Sequence, residues 1–357
     1  MRCPLALARG HLYLPAVHLA KKLNSPCATR LEGMSEAPTS AAPAKRKLST
    51  KPHSAADRVF YGLARSAAYG AIVLVGLILV FLLMRSSSTF AQQGVGFIFG
   101  SEWSTAGDKP VLQIGPMLWG SILIAIIGVI FAVPMSIATA YFIEFMAPKR
   151  IAKIATIVVD LLAAIPSIVV GLWGLMVFTP VAGHWAQLLN RGLGWIPIFG
   201  SSTNNFQGTP FTAGWIVAVM IVPIITSVAR EIFSQMDRDL INASLALGGS
   251  KSTSLFQVIL PTASGGIVGG VLLGLGRALG ETVAIYFVLN LSFDINWGAV
   301  LENKGGSVAS LILSKFGEAT PEEIGGLMAA GLVLFVITLL VNWVAAIIVN
   351  LAQPWRR

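Results

Sequence analysis

A chain of 357 residues, 55% hydrophobic and only 11% charged, lies far from the roughly 25% charged residues of soluble domains, which excludes a soluble enzyme or binding module and indicates an integral membrane protein. The formal charge of +9 does not indicate nucleic acid, because the basic residues follow the loops between apolar runs and form no patch. Cys3 and Cys27 are the two cysteines and support neither a disulfide framework nor a thiolate metal site. His11, His18 and His53 lie near the N-terminus and His184 in a later loop, so no metal or other cofactor is expected.

Residues 1–66 lack a sustained apolar face and carry a proline-containing stretch, 35–44, followed by Lys45-Arg46-Lys47. They are expected to form a disordered basic tail. No unbroken apolar core of a signal peptide stands among the first thirty residues. Met34 opens a segment resembling an ordinary bacterial N-terminus, so residues 1–33 are expected to come from an upstream start.

Six apolar runs follow, 67–84, 117–145, 154–178, 213–229, 265–290 and 324–351, each of a length that can cross a hydrocarbon core of about 30 Å. If the N-terminus is cytoplasmic, nineteen of the 25 Lys and Arg residues fall on the inner side and five outside. The sign of that asymmetry puts both termini in the cytoplasm. The second run contains Pro134, which predicts a tilt or kink. The third carries Asp160 near its inner end and then Ala163-Ala164-Ile165-Pro166-Ser167. With entry at Ile154, a rise of about 1.5 Å per residue puts Asp160 about 9 Å deep and Pro166 about 18 Å deep, where a freed carbonyl is tolerated only beside protein or water. Segment 180–212, with glycines at 192, 194, 200 and 208 and prolines at 197 and 210, favours turns over helix; it reads either as a lid or partner-receiving loop or as a plain surface loop. Segment 290–324 is acidic on balance.

Between the fourth and fifth runs stands Asn242-Ala243-Ser244-Leu245-Ala246-Leu247-Gly248, then twelve residues, then Pro261, preceded by Val258-Ile259-Leu260. Residues 234–247 suit a short helix whose small side chains permit close approach, Gly248 suits its C-cap, and Pro261 is expected to break the chain before the next span.

The fifth run contains Arg277 and Glu281. A charge at a helix centre costs about 2.5–3.5 kcal/mol on insertion scales, so such groups usually face a bundle interior or a watery path. Helical spacing of four predicts that both point into a shared space, with Arg277 about 18 Å into the core. Two roles stay open. Arg277 can form a neutral structural pair with Glu281 or Asp160, or it can present its planar guanidinium to an oxyanion in a translocation path. Gly266, Gly270 and Gly274 form a small-x-x-x-small row expected to serve helix packing.

The loop at 242–261 resembles the EAA-type cytoplasmic loop of ABC importer permeases, with Asn242 where that pattern usually has Glu. The strings Phe99-Gly100-Ser101-Glu102-Trp103, Leu162-Ala163-Ala164-Ile165-Pro166-Ser167-Ile168-Val169, Gly171-Leu172-Trp173-Gly174-Leu175 and Gly274-Leu275-Gly276-Arg277-Ala278-Leu279-Gly280-Glu281-Thr282 are similar to PstC-type permeases of bacterial phosphate-specific ABC importers, over about residues 60–355. The resemblance implies an all-α integral membrane protein of the plasma (inner) membrane: six transmembrane helices with a type I, MetI-like permease core at 67–355 and a cytoplasmic coupling helix. It implies a PstA-like second permease, two PstB-like ATPase subunits and an external PstS-like binding protein that delivers phosphate, besides the lipid bilayer. It assigns Arg277, Glu281 and Asp160 to the substrate pathway, and Asn242, Ala243, Ser244, Gly248, Leu260 and Pro261 to ATPase coupling.

The chain is not expected to hydrolyse ATP itself. In Gly249-Ser250-Lys251-Ser252, Ser250 stands where a P-loop needs its last glycine and Leu245 where it needs its first. Gly274-Leu275-Gly276 lacks the spacing and the preceding strand of a dinucleotide fingerprint. Two rival readings remain: a permease for another oxyanion such as sulfate or molybdate, or an ion-coupled secondary transporter with Asp160 and Glu281 as proton carriers.

Overall fold

The computed structural model describes residues 55–105, 110–296 and 298–351. The tail up to residue 54, with both cysteines and Met34, lies outside them. The chain falls into two compact units that meet at Ala71–Ile72. The described part of the first unit is helical, and the helix α1, Ala55–Gln93, starts eleven residues before the expected end of the tail. Its first turn carries Asp57, an acidic group suited to a helix N-terminus, and apolar Val59, Phe60 and Leu63 follow at once.

After α1 come α2 (Gly96–Phe99), a two-residue ribbon of β1 (Trp103–Ser104) and β2 (Val111–Leu112), and α3 (Gly115–Tyr141). The strands pair antiparallel, Trp103 opposite Leu112 and Ser104 opposite Val111. The Phe99-Gly100-Ser101-Glu102-Trp103 string forms this corner. The Gln113 side chain occupies the place of a Cβ on Gly100 and accepts the Glu102 amide at 2.9 Å, while Trp103 stacks on Phe293. Then follow α4 (Lys149–Ala164), α5 (Ser167–Trp173), α6 (Thr179–Leu193), α7 (Pro210–Ser234), α8 (Arg238–Ala246), α9 (Lys251–Ser254), α10 (Leu260–Gly280), α11 (Val283–Val288), α12 (Val308–Lys315) and α13 (Pro321–Leu351). Single π-helical turns extend α3 (Phe142–Met146), α5 (Gly174–Phe178) and α9 (Leu255–Ile259).

Among the described residues, six helical stretches are long and apolar enough to span a membrane: Val59–Gln93, Gly115–Met146, Ser167–Leu193, Pro210–Ser234, Lys251–Gly280 and Pro321–Ile347. The number agrees with the sequence reading, but three boundaries do not. The third run is not continuous from 154 to 178. It breaks at Ile165 and Pro166, both in extended conformation, because proline lacks an amide hydrogen and disfavours helical geometry in the residue before it. The helix that resumes runs on through 179–193, where turns are expected; Thr179, Ala182 and Ala186 bury one face of it, Gly192 sits inside its last turn, and the remaining glycine and proline signals act beyond it. The fifth run ends at Gly280 instead of crossing to 290, and Pro261 does not break it. The π turn before Pro261 joins α9 to α10 without interruption, and such a turn relaxes the backbone register that a helical proline disturbs. Pro134 and Pro223 likewise sit inside continuous helices.

The bundle centre is α7, packed most extensively against α3 and then α10. In lipid, apolar burial does not drive helices together, so close backbone approach has to. Small residues supply it here: a Cβ on Gly214 of α7 would collide with the Ile127 side chain of α3, and Gly266, Gly270 and Gly274 of α10 face Ile232, Val228 and Ile225 of α7. The packing role expected of that glycine row is what the structure shows. Ser136 of α3 adds a hydrogen bond to the Val222 carbonyl at 3.1 Å.

Candidate functional site

The break after α4 opens backbone groups at the bundle surface. The Ile165 amide reaches back only to the Leu162 carbonyl, at 3.4 Å, and the next backbone bonds run from Val169 and Val170 to Pro166. The amides of Ser167 and Ile168 therefore no longer reach the carbonyls of Ala163 and Ala164, which have no backbone partner among the described residues. A small cleft opens beside this break, lined by Leu162, Ala163 and Ile165, by Val170 of α5, by Val219 and Met220 of α7, and by Arg277 of α10. Arg277 is exposed and has no ion pair or hydrogen bond among the described residues. Five fixed N–H donors and a permanent positive charge thus stand free at an otherwise apolar wall.

The spacing-based pairing of Arg277 with Glu281 is not formed. Helix α10 stops at Gly280, and Glu281 takes an extended conformation with φ −69° and ψ 123°, so the four-residue rule for a continuous helix no longer governs its direction. Glu281 is buried, at 8% exposure, and its Oε1 accepts the Ala284 amide at 3.5 Å, at the start of α11. Asp160 is exposed on α4; it forms no ion pair with Arg277 and is not among the residues lining the cleft. Of the three pathway residues expected, Arg277 alone stands at the break. The apolar partners Val219 and Met220 carried no signal of their own in the sequence, since each reads as one more lipid-soluble residue in α7.

The strings 171–175 and 274–282 come close in space. A Cβ on Gly171, in the first string, would lie 2.8 Å from the Ala284 Cα, two residues beyond the second. The half-helices that follow the two breaks, α5 and α11, therefore pack closely, and Val170 of α5 rests on an apolar cluster of Ile216 and Met220 of α7 with Ala284 and Val288 of α11.

At the far end of α7 lies the expected loop helix, shortened from 234–247 to Arg238–Ala246 because α7 runs on to Ser234. The Asp237 side chain accepts the Asp239 amide at its start. At its end the Gly248 amide bonds to the Leu245 carbonyl and the Gly249 amide to the Ser244 carbonyl, both within 3.1 Å, with Gly248 at φ +86°; this is the Schellman arrangement. Asn242, Ala243, Leu245 and Leu247 are exposed, Leu247 at 90%. Ser244 and Ile241 turn inward, Ser244 to the Ser254 hydroxyl at 3.0 Å and Ile241 to a core cluster of Phe233, Ile259 and Ala263. Leu260 joins the same cluster and Pro261 lies in the first turn of α10. Leu260 thus shares the core that seats α8, and neither residue belongs to the exposed face of α8.

Residues 132–353, taking in the cleft and α8, match the profile described as "binding-protein-dependent transport system inner membrane component". The chain belongs to this permease family. Within the family it is 36% identical over 304 residues to the phosphate transport system permease protein PstC 2 of Mycobacterium bovis, covering 84% of this chain and 94% of that protein. It is 37% identical over 294 residues to the PstC protein of Mycobacterium leprae, with 81% and 92% coverage, and 35% over 294 residues to that of Xylella fastidiosa, with 80% and 88%. Membership of this permease family and the six apolar helices make the chain a multi-pass inner-membrane protein.

Proposed function

We propose that the chain is the membrane-spanning permease subunit of an ATP-driven phosphate importer. The observation that carries this reading is the sustained likeness to PstC proteins over more than four fifths of the chain, with Leu162, Ala163 and Ile165 of the Pro166 string lining one cleft with Arg277. A free guanidinium in an apolar cleft suits an oxyanion: it supplies directed donors and charge without a proton that can be lost. The nearby α4 break gives that cleft a wall that can rearrange.

The energy source lies outside the chain, because the sequence holds no P-loop. The exposed face of α8, with Asn242, Ala243 and Leu245, docks a cytoplasmic ATPase in this reading. Two ATPase copies, a similar second permease and an external binding protein complete the complex, and both termini lie in the cytoplasm. ATPase closure moves α8, and the shared cores below α8 carry that movement to α7 and α10. Arg277 is then exposed first to the outside and later to the inside. Asn242 in place of the usual glutamate makes the docking depend on shape and apolar contact more than on an ion pair.

Uptake of radiolabelled phosphate by liposomes holding the assembled complex tests this function. ATP-dependent uptake that excess sulfate or molybdate fails to suppress is expected. Uptake driven by a proton gradient without ATPase, or suppression by sulfate, would overturn the reading in favour of its rivals.

A further inference from the structure

Helix α8 is joined by the chain to α7 through 235–237 and to α10 through 247–250 and α9. Those two spans follow any motion of α8 through covalent connection. Helix α3 has no such connection, yet it reaches α8 through side chains. The π turn that ends α3 carries Glu144, whose Oε1 accepts a hydrogen bond from the Arg238 guanidinium at 2.9 Å. The same guanidinium lies 5.3 Å from the centroid of the Phe145 ring, within the range of cation–π attraction. Just before the turn, the Tyr141 hydroxyl donates to the Lys251 carbonyl at 3.3 Å, and Tyr141 and Phe145 pack on the cluster that receives Ile241 of α8.

At its other end α3 reaches the cleft element. Ile124, Ala125 and Ala132 share one core cluster with Ala278 and Leu279, the two residues that follow Arg277. A path of packed side chains therefore runs from the first residue of α8 to the backbone that carries the free guanidinium. We propose that Arg238 and Glu144 form a clasp that makes α3 a third relay between α8 and the Arg277 cleft. Both are positioning residues, acting on transport through α3. The proposal rests on the reading of α8 as the ATPase-docking element.

Arg238 is 60% exposed and Glu144 21%, and exposed ion pairs add little to stability. The clasp therefore tunes coupling and leaves folding alone, which makes the two separable. In liposomes holding the full complex, phosphate uptake and ATP hydrolysis are measured together for Glu144→Gln, Arg238→Gln and the exchange Glu144→Arg with Arg238→Glu. Each single variant is expected to raise the ATP used per phosphate by about threefold, within the range a lost exposed pair can produce, with unchanged melting temperature and unchanged ATPase co-purification. The exchange is expected to recover at least half of that loss. Parental ratios in both single variants would overturn the clasp. So would loss of ATPase co-purification in Arg238→Gln alone, which would make Arg238 a docking contact. A separate variant, Gly248→Val, tests the underlying reading: an ATPase that still binds and couples normally there would remove α8 from docking, whatever the clasp variants do.

Discussion

The contact between α10 and α7 is most sharply tested at two neighbouring glycines. A Cβ on Gly270 would lie 3.1 Å from both Cβ and Cγ1 of Val228, whereas one on Gly269 would meet nothing within 4 Å. Val228 cannot give way easily, because its branched carbon is fixed to the α7 backbone. Leucine at 270 therefore forces the helices apart, an overpacking cost of about 1–3 kcal/mol, offset by up to about 1 kcal/mol from removing a helical glycine. A leucine side chain belongs at the upper end of that cost, so the net loss is about 1–2 kcal/mol. At 269 only the propensity gain of up to about 1 kcal/mol remains. With about 2–4 °C per kcal/mol for a chain of this order of size, Gly270→Leu should lower the melting temperature of the purified complex by about 2–8 °C and Gly269→Leu should leave it unchanged or raise it. Phosphate uptake should follow the same split. Equal shifts for the two variants, or an unaltered Gly270→Leu, would refute the account of how α10 is seated.

Valine at Gly248 has to adopt φ +86°, a region that β-branched residues avoid; the end of α8 should fray, and ATP hydrolysis should lose its dependence on phosphate while the spans still assemble, as read by uptake and hydrolysis assayed side by side. Pro166→Ala returns an amide hydrogen and removes the constraint on Ile165, so the α4 break should close and uptake should fall with assembly intact; parental uptake would show that the break has no part in transport. The Ser202 hydroxyl donates to Glu302, and this bond and Lys304, 3.0 Å away, hold the Glu302 carboxyl below its ordinary 4.5, against the opposing effect of partial burial. Because the folded value is depressed, the stabilisation is complete above 4.5 and is lost as the pH falls below it. The melting-temperature gap between the parent and Glu302→Gln should therefore shrink as the pH is lowered through and below 4.5, and a constant gap would contradict this.

Much of the architecture was legible because a bilayer imposes length and polarity so strongly. Six runs, the glycine row of 266, 270 and 274, and Gly248 as a helix terminator all follow from simple spacing and backbone rules. The two chain breaks were harder. Hydropathy is blind to backbone direction, so 154–178 and 265–290 each read as one unbroken helix. Pro166 does carry the signal of a break, since proline and the residue before it disfavour helical geometry, and it separates α4 from α5. No comparable signal marks the turn at Glu281, and the expected pairing with Arg277 failed because the spacing rule presumes a helix that continues. The ion pair of Glu144 with Arg238, 94 positions apart, is a product of tertiary packing that no local pattern announces. The turn-forming glycines and prolines of 194–210 say nothing of 179–193, where a buried face of Thr179, Ala182 and Ala186 holds α6.

The central claim is that Arg277 supplies the free positive charge of the phosphate path. The most direct measurement is ATP-dependent phosphate uptake by the reconstituted complex carrying Arg277→Gln, beside the parent, with assembly checked by co-purification of every subunit. Loss of uptake in a fully assembled complex is the predicted result; uptake at the parental rate by Arg277→Gln would contradict the claim.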